Sequence, residues 1–380
     1  MLWVLLFTTP LMIGVQMVSA RIGWLTQKGL AANFIQIMPR WAAGFLVSLL
    51  VLANTLNIAA DIAAMSEAVQ LVAGGPKLLY AVVFGIICAA VPVWLGYEAM
   101  VRVLKWLTLT LLAYVAVVLM LHVNWGQVLV DTLIPKFQRN SQYWMMIVAV
   151  LGTTISPYLF FWQASQEAEQ RQKLGNVDAV VHTPVFMAEH LSRIKLDTIV
   201  GMVFSNVIAF CVMLATAITL NQNGITDIET TKQAALALRP LAGDFAFTLF
   251  ALGIIGTGLL AVPVLAGSAA YAVADLFHWR SGLDQHVTQA KGFYGVLIAA
   301  TVAGTLLDFT SLDPIKALVW SAIVNGVVAV PIMAAMMWLG NERKIMGDYV
   351  LTLGHRILGW FATAVMLAAV LGMAWSWWQD

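Results

Sequence analysis

A membrane-length apolar run is interrupted by the stretch Gly152-Thr153-Thr154-Ile155-Ser156-Pro157-Tyr158. The run extends from about residue 143 to residue 164. Pro157 has no amide hydrogen and clashes with the preceding turn, which costs about 3 kcal/mol in a regular helix. Backbone carbonyls freed inside a membrane persist only where they are buried in protein or face a watery cavity, and secondary transporters bind their substrates at such interrupted helices. The stretch therefore predicts a broken helix with a transport site. The alternative is a proline kink whose freed backbone groups bond to neighbouring helices.

The composition is that of a polytopic membrane protein. Of 380 residues, 61% are hydrophobic and 10% are charged, and the mean hydropathy is +0.86. A formal net charge of +1 argues against a nucleic-acid partner. Cys88 and Cys211 lie inside apolar runs, so we expect buried thiols and no disulfide. The chain shows no arrangement of a nucleophile with a base, which indicates that it is not an enzyme.

Apolar stretches recur along the chain, and many of the fifteen tryptophans lie near their ends, as in an interfacial belt. We therefore predict an all-α polytopic membrane protein with ten spans. Their approximate ranges are 2–20, 42–71, 78–95, 106–122, 143–164, 197–220, 244–274, 292–307, 314–339 and 357–375.

The basic residues are divided unequally between the two sides of the predicted bundle. Loops after odd-numbered spans hold fourteen Lys and Arg residues, and loops after even-numbered spans hold six. Because cytoplasmic loops carry the excess of Lys and Arg, the first set is predicted to face the cytoplasm and both termini the outside. The longest predicted cytoplasmic loop covers residues 166–195.

The order of the spans suggests two repeats within one transmembrane domain, residues 1–380. Spans five to nine, residues 143–339, form a block of five that opens with the broken helix, and residues 357–375 add one further helix. Only four spans, within residues 1–122, precede that block. Inverted repeats built around broken helices are a known plan of transporters, so we predict an incomplete first repeat and a complete second one.

Several segments of the chain resemble the Nramp family of divalent metal transporters. They are the stretch from Leu2-Trp3-Val4-Leu5-Leu6 to Gln16-Met17-Val18-Ser19-Ala20-Arg21-Ile22-Gly23, then Asp61-Ile62-Ala63-Ala64, Ser156-Pro157-Tyr158 and Leu312-Asp313-Pro314. The resemblance covers essentially the whole chain and implies a LeuT-like bundle of eleven helices, of which about ten are present. The absent helix is the first, which carries the family's Asp-Pro-Gly-type metal motif. Its absence implies either a start codon assigned too late or a truncated remnant.

At the broken helix the chain departs from the family pattern Ala-x-x-Met-Pro-His. Aligned on Pro157, the family positions fall on Thr153, Ser156 and Tyr158. The resemblance thus implies Thr153 and Ser156 as metal ligands, through a carbonyl and through a hydroxyl or its bound water, with Thr154, Pro157 and Tyr158 along the path. Oxygen donors without sulfur suit Mn²⁺, Mg²⁺ or Ca²⁺, and the pattern resembles the methionine-lacking branch, which implies magnesium transport. The alternative is that Ser156 only bonds its own helix.

A polar face on the second span is the next candidate part of the pathway. Asn54, Asn57 and Asp61 recur at i, i+3 and i+7 and share one side of a helix. A charged Asp near the bilayer centre costs roughly 2.5–3.5 kcal/mol, so Asp61 should be paired or hydrated. Proton-coupled relatives carry Asp-x-x-Glu here, which would match Asp61 and Ala64. The alanine removes a proton acceptor, so facilitated diffusion is the alternative to proton coupling. A hydrogen bond that joins Asp61 to a buried amide is the structural alternative.

The ninth span offers two further oxygen donors. Ser321 and Asn325 lie at i and i+4 and could face the cavity together. The position of the family's metal-binding glutamine corresponds to Ala322. Ser and Asn pairs also hold helices together in membranes, which is the alternative role for these two side chains.

We predict secondary transport of a divalent metal cation across the inner membrane by alternating access. The metal ion is the substrate, no cofactor is expected, and membrane lipid surrounds the protein. An organic-solute carrier with the same LeuT-like plan and a transport-inactive remnant are the alternatives.

Overall fold

The structure, a computed structural model, describes residues 1–94, 102, 106, 109–138, 140–174, 184–220, 228, 230–310 and 313–379. Throughout these ranges the apolar stretches form helices, because a backbone in lipid must satisfy its polar groups internally. The helices are α1 (Leu2–Thr26), α2 (Leu30–Ile37), α3 (Arg40–Ala73), α4 (Lys77–Trp94), α5 (Leu112–Met120), α6 (Trp125–Leu133), α7 (Ser141–Thr154), α8 (Pro157–Lys173), α9 (Pro184–Thr219), α10 (Thr231–Ala235), α11 (Arg239–Ala242), α12 (Ala246–Phe277), α13 (Lys291–Leu307), α14 (Pro314–Asn341), α15 (Arg343–Met346) and α16 (Leu353–Gln379).

Each of the ten predicted spans overlaps a helix. Among the described residues, eight spans are long and apolar enough to cross a membrane, with α7 and α8 together forming one of 33 residues. A ninth results if α5 and α6, which are bent by 119°, are taken together, and α13 is a shorter apolar helix of 17 residues. Residues 107 and 108 of the predicted span 106–122, and Leu312 of the family-like motif, lie outside the described residues.

The prediction of a loop over residues 166–195 is wrong at both ends. Helix α8 continues to Lys173 and α9 already begins at Pro184, while residues 175–183 lie outside the described residues. Hydropathy marks only the membrane core of a helix. The Glu, Gln, Lys and Arg residues that follow the apolar part are good helix formers and extend both helices beyond it.

The broken span lies inside the bundle and not at its rim. Helices α3 and α12 pack together along much of their length, and α3 also packs on α13 and α14. Small residues permit this close approach, since a Cβ on Gly304 would lie 2.5 Å from the Ile58 side chain. The largest apolar cluster joins α1, α3, α7, α8, α14 and α16. The break between α7 and α8 is therefore held from several sides.

Candidate functional site

The polypeptide leaves the helical conformation for two residues in the middle of the broken span. Helix α7 ends at Thr154 and α8 begins at Pro157. Ile155 has φ −112° and ψ 66°, and Ser156 is extended with φ −88° and ψ 131°. The prediction of an interrupted helix at Pro157 is confirmed, and the two halves continue as one span of 33 residues.

The break leaves two backbone carbonyls without a helical partner. The Ile155 amide donates to Leu151 O at 2.7 Å, and the Leu159 amide turns to Ser156 O at 3.2 Å. Consequently, neither Thr154 O nor Ile155 O accepts a hydrogen bond from another described residue. Carbonyl oxygens of this kind are the groups with which discontinuous helices coordinate cations.

The hydroxyl groups beside the break are bonded to their own helix. Ser156 Oγ donates to Gly152 O at 2.5 Å and lies 3.1 Å from Thr153 O. Thr153 Oγ1 and Thr154 Oγ1 each donate to Val150 O at 2.9 Å. This arrangement corresponds to the alternative role of Ser156, in which its hydroxyl bonds to its own helix. A hydroxyl that donates its proton keeps lone pairs on oxygen, so these bonds orient the oxygens without removing their capacity to accept.

Two neighbouring helices fix the halves of the broken span. On the α7 side, a Cβ on Gly152 would lie 2.0 Å from Ala322 O and 2.6 Å from the amide nitrogen of Gly326, so the backbones of α7 and α14 touch. On the α8 side, Ser19 Oγ of α1 donates to Phe160 O at 2.5 Å. In addition, Gln16 Nε2 of α1 donates to Leu159 O at 3.2 Å. The first turn of α8 is thus bonded to α1 and the last turn of α7 is packed on α14.

The polar face of α3 divides among different neighbours. Asn54 is fully buried and donates to Leu265 O at 2.9 Å and to Ser268 Oγ at 2.7 Å, both on α12. Asn57 exchanges amide hydrogen bonds with Asn325 of α14, at 2.9 Å in one direction and 3.0 Å in the other. Asn54 therefore lies away from the break, whereas Asn57 is joined to the segment of α14 that touches Gly152.

Asp61 lies further along α3 and acts electrostatically on Tyr158, in the first turn of α8. It is half-buried, and it makes no ion pair or hydrogen bond with a described residue. The hydrogen bond to a buried amide, which was the alternative role for Asp61, is therefore not formed among the described residues. The carboxylate lies close to the broken span and has no fixed protein partner there.

Ser321 is the other candidate of α14. It is 4% exposed, and its Oγ donates to Leu318 O of its own helix at 3.0 Å. The structure thus brings together the break, the segment 321–326 of α14 and Asn57. Three contributors were not predicted from side-chain types, namely the free carbonyls of Thr154 and Ile155 and the backbone contact at Gly326. Gly152 and Gly326 could have indicated the close backbone contact between α7 and α14. The free carbonyls depend on how many residues are unwound, which the sequence does not determine.

The donors at this site are mostly neutral oxygens. In the described part of the chain, no group of three or more His, Cys, Asp and Glu side chains could hold a metal ion. The carbonyls of Thr153, Thr154 and Ile155, the hydroxyl of Ser156 and the amide oxygens of the Asn57–Asn325 pair remain, with Asp61 nearby. Such a set suits a hard cation that keeps part of its water shell.

Comparison with known proteins identifies the family. A family model described as Nramp, natural resistance-associated macrophage protein-like, matches residues 1–376. The divalent metal cation transporter MntH of Caldanaerobacter subterraneus subsp. tengcongensis is 25% identical over 382 residues, a match that covers 94% of this chain and 81% of that protein. MntH of Klebsiella pneumoniae subsp. pneumoniae is 25% identical over 379 residues, which covers 97% of this chain and 84% of the relative.

Solved structures agree on the fold. A crystal structure of a variant of the Eremococcus coleocola manganese transporter superposes with a TM-score of 0.73 at 16% identity, over 97% of this chain and 78% of that chain. The all-α LeuT-like bundle is confirmed, and an organic-solute carrier is not favoured.

The protein is a multi-pass membrane protein. The MntH relatives are bacterial, which is consistent with the inner-membrane location that we predicted. Members of the matched family are transporters and not enzymes. The chain belongs to the Nramp family of divalent metal cation transporters.

Proposed function

We propose that this protein carries a hard divalent cation, Mg²⁺ or Mn²⁺, across the inner membrane by alternating access around residues 153–158. In this proposal the two blocks of helices, residues 1–122 and 143–339, are the repeats that rock against each other. The proposed ligands are the Thr153 carbonyl and the Ser156 hydroxyl, and Thr154, Pro157 and Tyr158 line the path.

The free carbonyl oxygens of Thr154 and Ile155 are the observation that carries the proposal. They lie at the C-terminal end of α7, where the helix dipole is negative and favours a cation. An unpaired carbonyl inside a membrane is costly unless water or an ion approaches it. These oxygens therefore add to the donor set that we proposed from Thr153 and Ser156.

The choice of a hard cation rests on the absence of sulfur at position 156. Thioether and thiolate ligands favour softer transition metals, whereas hydroxyl, carbonyl and water suit Mg²⁺, Mn²⁺ and Ca²⁺. Ser156 is 1% exposed, and its Oγ is oriented by Gly152 O at 2.5 Å. Asn57, Asn325 and Ser321 extend the same oxygen chemistry towards α3 and α14.

Proton coupling is not part of the proposal. Asp61 is followed one turn later by Ala64, and Asp61 has no basic partner within ion-pair distance among the described residues. A relay needs a second group to receive the proton. We propose facilitated diffusion, with Asp61 attracting the cation to the path.

The test is uptake of Mg²⁺, Mn²⁺ and Ca²⁺ into proteoliposomes that contain the purified protein, with and without a pH gradient. Ser156→Ala should lower Mg²⁺ uptake by about tenfold to a hundredfold, because a hydrogen bond or contact to a charged group contributes about 1.5–3 kcal/mol. Pro157→Ala restores an amide hydrogen that can bond to Thr153 O, so uptake should fall at least as far.

Matched controls separate the site from general damage. Ser376→Ala removes a buried hydroxyl that bonds only to its own helix, at 2.8 Å from Met373 O in α16. Pro10→Ala removes an exposed proline inside α1. Both should leave uptake within twofold of the unmodified protein. The proposal is wrong if none of the three ions enters, or if the control variants lose as much uptake as the site variants. Metal-driven proton influx would contradict the proposal of uncoupled transport.

A further inference from the structure

Basic side chains from three helices meet at one end of the bundle. Arg21 of α1 donates through Nη2 to Tyr349 O at 3.4 Å, in the turn before α16. Arg356 of α16 donates through Nε to Leu351 O at 3.0 Å. His355 lies in the electrostatic field of both Arg21 and Lys195, the latter on α9. These four residues, Arg21, Lys195, His355 and Arg356, form what we call the basic cleft.

The packing of the three helices fixes this cleft. Ala20 and Trp24 of α1 share an apolar cluster with Ile194, which precedes Lys195. On the other side, a Cβ on Gly14 of α1 would lie 2.4 Å from the Leu358 side chain of α16. Helix α1 therefore lies between α9 and α16, and the basic groups converge because their helices are in contact.

None of the four residues of the basic cleft forms an ion pair with a described carboxylate. The ion pairs among the described residues involve Asp131, Asp284, Glu167 and Asp313, each with a base that is not part of the basic cleft. Asp197 follows Lys195 by two residues on α9 and is balanced in number by Arg193, and Glu342 and Asp348 of the segment before α16 are balanced by the exposed Arg343 and Lys344. Arg21 Nε is buried without a hydrogen-bond partner. The cleft thus holds an unsatisfied buried donor and basic groups that are not ion-paired.

The first turn of α16 adds to this preference for an anion. Thr352 Oγ1 lies 2.6 Å from His355 Nδ1, which fixes the ring and leaves Nε2 unoccupied by that contact. The amide groups at the start of a helix carry a partial positive charge. Leu353 begins α16 at this point, so its N-terminus reinforces the charges of the basic cleft.

Beside the charges, the surface is apolar and faces outward. Leu196 of α9 is 62% exposed, and Leu353 and Ile357 of α16 are 72% and 62% exposed. In a membrane-spanning bundle such side chains lie against acyl chains. The cleft therefore combines a bed for hydrocarbon with a cluster of cations at its polar end.

We propose that the basic cleft binds the phosphate of an anionic phospholipid, with its acyl chains along α9 and α16. Basic pockets between transmembrane helices are suited to such headgroups, and each Lys or Arg near the surface contributes about 1 kcal/mol of attraction. A zwitterionic headgroup carries no net charge to match the cleft. A free phosphate anion shares the headgroup chemistry but lacks the chains that the apolar surface would hold.

The experiment is native mass spectrometry of the detergent-purified full chain titrated with phosphatidylglycerol or phosphatidylcholine. Phosphatidylglycerol should bind more tightly than phosphatidylcholine. Lys195→Gln combined with Arg356→Gln should weaken phosphatidylglycerol binding about 25-fold, from two contacts of roughly fivefold each. The matched control, Arg40→Gln with Lys291→Gln, removes two exposed bases on other helices and should change binding by less than twofold.

Further arms keep the outcome decisive. Lys195 is exposed, so Lys195→Glu should fold normally and still lower phosphatidylglycerol affinity. Equal loss in the control variant would reduce the effect to general surface charge and overturn the proposal. If millimolar inorganic phosphate displaced phosphatidylglycerol completely, the basic cleft would be a site for a free anion, and the lipid proposal would be wrong. Equal affinity for the two lipids would also contradict the proposal.

Discussion

Asp308 occupies the C-cap position of α13, just beyond the predicted span 292–307. Both of its carboxylate oxygens are buried without a hydrogen-bond partner. Burial raises the pKa of Asp308 to about 7, although the positive charge of Lys77 opposes this shift. An unfolded Asp ionises near pH 4. Between about pH 4 and pH 7 the folded protein therefore holds a proton that the unfolded chain has lost, and the free energy of unfolding must fall as the pH rises.

We expect the unfolding midpoint to fall by a few degrees between pH 4.5 and pH 7.5 because of this group, since 1 kcal/mol shifts the midpoint of a large domain by about 2–4 °C. Asp308→Asn should remove that part of the decline. The measurement is thermal unfolding of the detergent-purified protein at a series of pH values. Asp348→Asn, at an exposed position, is the control and should keep the slope. An unchanged slope in Asp308→Asn would refute the assignment.

Single residues also show where sequence reasoning stops. The shared face of Asn54, Asn57 and Asp61 follows from helical spacing alone, and the structure keeps all three on α3. Their partners depend on how α12 and α14 are rotated, which no spacing within α3 determines. For this reason the spacing did not predict that Asn54 would donate to Ser268 while Asn57 pairs with Asn325.

At the scale of elements, the contact between α7 and α14 at Gly152 holds the break in place. A methyl group there would lie 2.0 Å from Ala322 O and 2.6 Å from Gly326 N. Both atoms belong to the backbone of α14 and cannot move aside as a flexible side chain could. The last turn of α7 can therefore pack as observed only with glycine at position 152.

Gly152→Ala should lower the free energy of unfolding by about 1–3 kcal/mol, the usual cost of overpacking, and should reduce metal uptake. Thermal unfolding and proteoliposome uptake measure the two effects. Gly295→Ala on α13 is the control, because a Cβ there would meet no atom within 4 Å. It should stabilise by up to about 1 kcal/mol, since alanine is the better helix former. Destabilisation by both variants alike would show that the contact is not the cause.

Elements were easier to predict than their ends. The apolar runs located the described spans because burying about twenty apolar residues in lipid leaves little choice of structure. Polar extensions of α8 and α9, and the 119° bend between α5 and α6, were not predicted. Both depend on packing and helix propensity outside the membrane core, where hydropathy carries no information.

At the scale of the whole molecule, the family plan and the position of the break were predicted from residues that are close in sequence. The break needs only a proline among glycine and hydroxyl residues. In contrast, the basic cleft joins residues 21, 195 and 355, which no local pattern connects. It required knowledge of how α1 packs between α9 and α16.

The orientation of the whole bundle is predicted by fourteen basic residues on one side against six on the other. Lys291, at the start of α13, belongs to the first set, and Lys232, on α10, belongs to the second; both are exposed.

Lys232→Cys should react with a membrane-impermeant maleimide in intact cells, and Lys291→Cys only after permeabilisation. The two native cysteines, Cys88 and Cys211, are buried and should give little background. The unmodified protein is the control for that background. Because moving such an array of charges across the membrane is costly, a mixed population is not expected. Labelling of Lys291→Cys in intact cells would reverse the orientation and place the basic cleft on the outer leaflet.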